Sequence, residues 1–355
     1  MGARVAAPPT PLALLRMTDG LVVHQALCAA ATLGVADLLN DGERKTAELA
    51  TALQVNEDAL YRALRFLSGQ GVFRETAPRT FTNSPLSEYL RTGVPGSVRP
   101  VLIFRGRSYY FSPFTEFLYT IETGIPARDK VLGKGAFEYL RVNPEEERAF
   151  DDAMTAISAL WAPAIAASYD FGRWGSLTDV GGGNGLLLAT ILNAHPGLQG
   201  VLTDAPSVVE RARRREFLSG ALAPRTRFEP CDFFQAIPSG SRAYLMKNII
   251  HDWDDGEARR ILRNCRRAVP DDGVVLLVEY CLGDDNTPSL GKMVDLVMLT
   301  ATGGRERTVD EHRVLLASAG FQLTRVIPVS TEIMIVEARP AAAVDAFDGA
   351  RLTRC

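Results

Sequence analysis

The chain has 355 residues, 46% of them hydrophobic and 23% charged, an ordinary globular composition with enough apolar content for two packed domains. Its formal net charge of -3 gives no overall electrostatic reason to bind nucleic acid or an anionic membrane, so small molecules or another subunit are the expected partners. Five cysteines, Cys28, Cys231, Cys265, Cys281 and Cys355, are scattered without any C-x-x-C spacing and read as reduced thiols of a cytoplasmic protein. The apolar stretch Leu21 to Leu39 is interrupted by His24, Gln25 and Asp37 and follows no basic segment, so neither an export signal nor a membrane span is expected.

From Leu12 to Leu39 apolar residues recur at helical intervals on more than one narrow face, which predicts a helix packed on two sides. Thr46 opens a short helix with a capping-box outline that Leu49 breaks, and Asn56-Glu57-Asp58 begins a second helix ending near Gly69. Val72 to Glu75 and Arg79 to Thr82 read as a hairpin, so the segment outlines a winged helix. The Pro- and Gly-rich run Gly93 to Pro100 separates it from the aromatic-rich stretch Phe104 to Tyr119, expected to be helical and connective. Pro144-Glu-Glu-Glu opens a long helix to about Ser168, with acids at the positive end of its dipole.

After Leu177 strands and helices alternate. Strand candidates are Leu177 to Val180, Gly200 to Leu202, Thr226 to Glu229, Ala243 to Lys247 and Gly273 to Glu279, a rhythm that predicts a parallel sheet covered on both faces. Two further strands, Phe321 to Pro328 and Glu332 to Arg339, are about three residues apart, too close for a crossover, so they form an antiparallel hairpin. The expected organisation is a winged-helix-like domain over 1–100, connecting helices that line a substrate pocket over 101–170, a ligand-binding α/β domain over 171–340, and a mobile tail over 341–355.

Asp179-Val-Gly-Gly-Gly-Asn-Gly185 lies between a strand and a helix. Its glycines imply a ligand pressed against bare main chain whose N–H groups point at it. The dinucleotide spacing G-x-G-x-x-G fails, because Leu186 or Leu188 stands where the third glycine belongs. Asp179 before Gly181, Gly182 and Gly183 would repel a pyrophosphate and attract a cationic amino group or sulfonium, and S-adenosylmethionine carries both. Asp204, at the end of the second strand, can accept from ribose hydroxyls, although it could also cap the helix from Pro206. After the third strand Asp232 can accept from an adenine amino group while Phe233 flanks the ring. Lys247 can meet cofactor oxygens or simply be solvated.

His251 follows the fourth strand, at the edge where ligands of open α/β sheets bind. A phenol of pKa about 10 is hardly ionised at neutral pH, whereas an imidazole is mostly free base there and can take the proton as the oxygen attacks a methyl group. That chemistry needs no metal. A metal cluster of His251, Asp252, Asp254 and Asp255 is disfavoured, because neighbouring residues at a helix start point in different directions. Glu279 and Glu306 are the acids that can orient the imidazole; topology favours Glu279, and Glu306 could instead pair with Arg305 or Arg307. Phe150, Met154 and Met298 could clamp a flat acceptor or could belong to the core.

With Leu-Thr-Asp-Val-Gly-Gly-Gly-Asn-Gly, Thr-Asp-Ala-Pro, Cys-Asp-Phe-Phe, Leu-Met-Lys-Asn-Ile-Ile-His-Asp-Trp-Asp-Asp and Gly-Gly-Arg-Glu-Arg-Thr in order, the chain resembles the plant-type and bacterial small-molecule O-methyltransferases over roughly Leu12 to Arg339. The resemblance implies a Rossmann-like seven-stranded methyltransferase sheet behind an N-terminal all-α, winged-helix-like dimerisation domain. It also implies S-adenosylmethionine held by the glycine loop, Asp204, Asp232, Phe233 and Lys247, with His251 as base, Glu279 and Glu306 flanking it, a phenolic specialised metabolite as acceptor, and a homodimer. Two positions depart from the family pattern: Cys231 where a glycine is usual, and Pro-Asp-Asp-Gly before the fifth strand. The family also includes relatives that use the cofactor during hydroxylation or decarboxylation. A winged-helix DNA regulator is a remote rival, since the helix that would meet DNA begins with Asn56, Glu57 and Asp58 and would face phosphates unfavourably.

Overall fold

The computed structural model describes residues 10–341, so Cys355 and the tail expected beyond Ala341 lie outside the described residues. The chain divides into two compact units: the residues up to Thr115 together with Phe137–Leu160, and Glu116–Ala136 together with the residues from Trp161 onward. The stretch 101–170 is thus shared between them.

In the first unit the apolar N-terminal stretch forms three helices, Pro11–Thr18, Gly20–Leu33 and Val35–Leu38. The last break falls at Gly34, whose left-handed φ of 72° lets its N–H reach the carbonyls of Ala30 and Ala31. Leu12, Leu14, Leu15 and Met17 are all more than half exposed, so the first of these helices buries none of its residues. Helices Thr46–Leu53 and Glu57–Gly69 follow. Asn56 caps the second by accepting from the Ala59 N–H at 2.9 Å. Thr46 does not cap: it is the first helical residue, and its hydroxyl donates to the Arg79 carbonyl in the hairpin turn. Strands β1 (Arg44–Lys45), β2 (Phe73–Ala77) and β3 (Thr80–Asn83) make an antiparallel sheet of order β1-β3-β2, in which β1 is too short and polar to carry a sequence signal. Leu49, Leu60, Leu64, Leu67, Phe73 and Phe81 form the core beneath it.

The second unit holds the large sheet: β4 (Ser176–Val180), β5 (Gln199–Thr203), β6 (Thr226–Phe228), β7 (Ala243–Lys247), β8 (Val274–Leu282), β9 (Arg307–Thr308), β10 (Phe321–Pro328) and β11 (Ile333–Pro340). Seven strands run in the order β10-β11-β8-β7-β4-β5-β6, and the two-residue β9 pairs alongside β8. β6, β5, β4, β7 and β8 are parallel; β11 is antiparallel to both β8 and β10. Central strands such as β7 read Ala-Tyr-Leu-Met because both faces are covered. One layer packs Leu188, Ile191 and Leu202, and the other packs Met246, Ile261 and Leu316. The register aligns Asp179 with Leu202 and Leu245, and Lys247 with Val278, so Asp179, Lys247 and Glu279 all emerge at one carboxyl edge. No helix among the described residues is long and apolar enough to cross a membrane.

Glu337 on β11, 2% exposed, ties the outer hairpin together and to the segment after the helix Pro144–Ser168, accepting from Thr324 Oγ1 at 2.8 Å and Arg325 Nη2 at 2.5 Å on β10 and from Tyr169 Oη at 2.7 Å. Burial alone would raise its pKa, but the donors of Arg325, Tyr169 and Thr324 outweigh it and hold the carboxyl at about 2, below its usual 4.5. A depressed folded-state value stabilises above 4.5 and stops doing so as the pH falls toward 2, with a magnitude on the order of 3 kcal/mol. Glu337→Gln is therefore expected to lower unfolding free energy by about that much near neutrality, with a gap from wild type that closes below about pH 4 in urea titrations.

Candidate active site

Three of the loop glycines serve the protein's own packing. A Cβ on Gly181 would stand 2.4 Å from Ile249 Cδ1, one on Gly182 2.4 Å from Leu202 Cδ1, and one on Gly185 2.6 Å from Leu218 Cδ1. Only Gly183, at φ +56°, has nothing within 4 Å of its missing Cβ and faces open space. The bend lies flat on Leu202 and Ile249, and Gly183 is the corner it leaves open. Thr203 O holds it down by accepting from the N–H groups of Gly181 (2.8 Å) and Gly182 (3.3 Å). No side chain caps the helix Leu186–Ala194 that follows.

Asp204 does not cap the helix Pro206–Arg214. Its carboxylate instead accepts from Gly183 N at 3.0 Å and Ala205 N at 2.7 Å, bracing the open corner of the loop. Asp179 is 2% exposed, and its Oδ2 has no hydrogen-bond partner among the described residues. Burial, with the neighbouring Asp204, pushes its pKa up to about 7, while Lys247 works in the other direction. Lys247 is pulled down to about 8 by burial, against the attraction of Glu279 and Asp179. Phe233 reaches the loop, its ring edge 4.0 Å from the position of a Gly181 Cβ, and meets Trp253 edge-on. Asp232 is exposed and accepts from Phe234 N at 2.9 Å. A buried carboxylate oxygen lacking a donor, a braced acid beside open glycine backbone and a flanking ring suit a ligand that is both cationic and nucleoside-like.

Asn248 escaped the sequence reading. It adopts φ 54° directly after β7, a left-handed conformation that asparagine tolerates best among residues with side chains, and it turns the chain toward His251. Its own N–H is held by Val278 O at 3.0 Å.

His251 is 6% exposed, in the short turn Ile250–Asp252. Its Nδ1 lies 2.6 Å from Glu306 Oε1 and 3.9 Å from Glu279 Oε2, which reverses the topological preference for Glu279 as the nearer acid. Glu279 Oε1 instead accepts from the Ile249 and Ile250 N–H groups, at 3.3 and 3.0 Å, and so orients the turn itself. Sequence adjacency could not reveal this, because the loop carrying Glu306 is brought in by β9 pairing beside β8. Burial raises both acids, Glu279 to about 7, and Asp295, whose Oδ1 accepts from Glu306 N at 2.9 Å, adds to the rise at Glu306.

Neither arginine beside Glu306 pairs with it: Arg305 and Arg307 face Asp255, and Arg305 also faces Glu311. Asp254 caps the helix Asp255–Ala268 through Glu257 N, so Asp254 and Asp255 are engaged away from the imidazole. Asp252 stays close, with Oδ1 3.7 Å from His251 Nε2, and burial pushes it up to about 6. Gly304 lies against the back of this turn, where a Cβ would be 2.0 Å from His251 O, and Arg305 N donates to that same carbonyl at 2.8 Å.

Of the residues expected to hold an acceptor, Phe150 packs edge-on against Phe104 and Phe137 within the first unit, and Met154 is half-buried on the helix Pro144–Ser168. Met298 is half-buried on the helix Leu290–Ala301, and its carbonyl accepts from Thr302 and Gly303 at the start of the loop that leads to Glu306.

A parallel sheet closed by an antiparallel strand, with a glycine bend and acids at its carboxyl edge, defines a Rossmann-like methyltransferase. Residues 120–322 match the O-methyltransferase domain family and residues 15–93 the O-methyltransferase dimerisation domain family. A phenazine O-methyltransferase, PhzM, of Lysobacter antibioticus is 39% identical over 95% of this chain and 98% of its own length. Among solved structures, LaPhzM superposes with a TM-score of 0.89 at 39% identity, covering 93% of this chain and 100% of its own. NcsB1, an O-methyltransferase from neocarzinostatin biosynthesis solved with S-adenosylmethionine and 2-hydroxy-5-methyl naphthoic acid, gives 0.81 at 34% identity over 94% of this chain and 100% of its own. The chain belongs to the family of S-adenosylmethionine-dependent O-methyltransferases that carry an N-terminal dimerisation domain.

Because the clash at Gly304 is with backbone, Gly304→Ala must displace the His251 turn. Turnover should fall by roughly 10-fold or more while the cofactor dissociation constant stays within about 3-fold, as calorimetry and a methyl-transfer assay would register.

Proposed function

We propose that this enzyme methylates a phenolic hydroxyl of a small aromatic specialised metabolite, with His251 as general base and without a metal. The observation that supports this most is the buried contact of 2.6 Å between His251 Nδ1 and Glu306 Oε1. Burial and Asp295 raise Glu306 to about 9 while Arg307 works the other way, so this reading requires the imidazole contact to keep the carboxylate ionised; Nδ1–H then donates to Glu306 and the Nε2 lone pair is free on the other side of the ring. Asp179, Gly181, Gly182, Gly183, Asp204, Asp232, Phe233 and Lys247 would hold S-adenosylmethionine, which supplies the electrophilic methyl group. Nε2 then takes the hydroxyl proton, and the imidazolium formed is stabilised by Glu306 and, less directly, by Glu279. Alignment and one proton removal are all that an in-line displacement asks of the protein. Met298, in the same unit as His251, would supply apolar surface for a flat acceptor. The family's dimerisation domain supports a homodimer, and the unpaired cysteines among the described residues support a reducing, cytoplasmic setting.

His251→Ala should retain cofactor binding and lose roughly 100-fold or more in turnover, measured by mass spectrometry on a panel of phenolic acceptors with labelled cofactor in the presence of a chelator. Unchanged turnover would remove His251 from the mechanism, and inhibition by the chelator would refute metal independence.

Asp204→Ala should weaken the cofactor. Asp179 makes a finer test: a cation beside it favours the ionised form, and its pKa stands near 7. Affinity should therefore decline as the pH drops from about 8.5 to about 6, and the decline should vanish in Asp179→Asn. Identical pH dependence in wild type and variant would move the cationic part of the ligand elsewhere.

A further inference from the structure

Arg307 is 2% exposed and among the largest fully buried side chains of the described residues. Burying a guanidinium is costly unless its donors are satisfied, and here the donors are spent on one object. Nη1 donates to Ile250 O at 3.2 Å and Nη2 to Trp253 O at 3.0 Å, the carbonyls that bracket His251-Asp252. Nε and Nη2 converge on Asp255 Oδ1 at 3.1 and 2.8 Å, just beyond the same turn, and Nη1 also reaches Arg305 O at 3.3 Å. Through its backbone, Arg307 pairs with Cys281 in the strand that carries Glu279. One side chain therefore joins the turn bearing the imidazole, the segment bearing Glu306 and the strand bearing Glu279.

We propose that Arg307 is the positioning residue of this active site: it clamps the His251 turn from behind, and its fixed positive charge keeps the His251–Glu306 pair in the proton-accepting state. This rests on the reading of His251 as the base.

The charge balance around the pair supports the second half. Glu306 faces His251 and Asp252 from the turn, Glu279 and the Cys281 thiol from β8, and Asp295 from the helix Leu290–Ala301. Lys247 acts on Glu279 from β7, and Arg128 acts on Asp252. Arg307 is the cation that opposes the rise of both Glu279 and Glu306. With one proton between them, the pair is a carboxylate and an Nδ1–H imidazole whose Nε2 can accept. A second proton on the imidazole occupies Nε2 and abolishes the base, and one on Glu306 removes the negative charge that stabilises the imidazolium formed when Nε2 accepts. A nearby positive charge makes that second proton harder to add, so removing the charge must raise the pH at which the base becomes free.

The test uses the full-length protein with its cofactor. The chain has four histidines, so 15N-histidine NMR can follow His251 directly, beside kcat as a function of pH. Arg307→Met should bind the cofactor within about 3-fold of wild type and lose roughly 30-fold or more in kcat at pH 7, with part of that recovered at alkaline pH. Both the acid limb and the His251 titration should move up by about one pH unit. Asp255→Asn, at an exposed carboxyl, leaves the guanidinium in place but removes its counter-charge, so it should move both in the opposite direction by a few tenths of a unit. This variant decides the matter if Arg307→Met does not fold.

Losses of equal factor at every pH with unmoved titrations, or same-direction shifts in the two variants, would overturn the proposal. Turnover surviving in His251→Ala would instead bring down the base reading. An inactive His251→Ala alongside an unmoved Arg307→Met profile would sink the Arg307 inference alone.

Discussion

The carboxyl edge of this sheet is organised by the cost of burying negative charge. Asp179, Asp204, Asp252, Glu279 and Glu306 are all raised above the usual carboxylate range by burial first. The protein meets that cost with a few fixed donors and cations: backbone N–H groups of Gly183, Ala205 and Ile250, the ammonium of Lys247 and the guanidinium of Arg307. A bound cation and a transferable proton are what such an edge is short of.

The two halves of the edge are electrically joined. Lys247 lies under the influence of both Asp179 and Glu279, so a charge change beside Asp179 is felt on the side of His251. The glycine bend contributes geometry more than emptiness. By lying flat on Leu202 and Ile249 it brings Gly183 against Asp204, and Ile249 in turn is the residue whose N–H meets Glu279. A side chain added at Gly181 would therefore disturb both halves through the same isoleucine.

The short loop from Gly303 to Arg307 carries more of the site than its length suggests. It supplies Glu306, the N–H that holds His251 O and the guanidinium behind the turn, and β9 fastens it to β8. An imidazole placed on a short turn needs such a backing, because a turn of three residues has no ladder or helix of its own to fix the direction of the ring.

The sequence by itself determined the elements and the edge. Alternating apolar runs marked the strands to within one to three residues, the brief gap after Pro328 required an antiparallel hairpin, and strand ends located Asp179, Asp204, Lys247, His251 and Glu279, because these signals are local in the chain. It could not show β1 or β9, each two residues long, nor the left-handed turn at Asn248. Tertiary structure alone decided that Glu306 rather than Glu279 touches the imidazole, that Asp204 braces the loop rather than capping a helix, and that Arg307 turns inward toward the carbonyls of the His251 turn. These are contacts across gaps of 21 to 57 residues, and which partner wins each is set by strand register and the competition for buried hydrogen bonds, neither of which is written in local spacing.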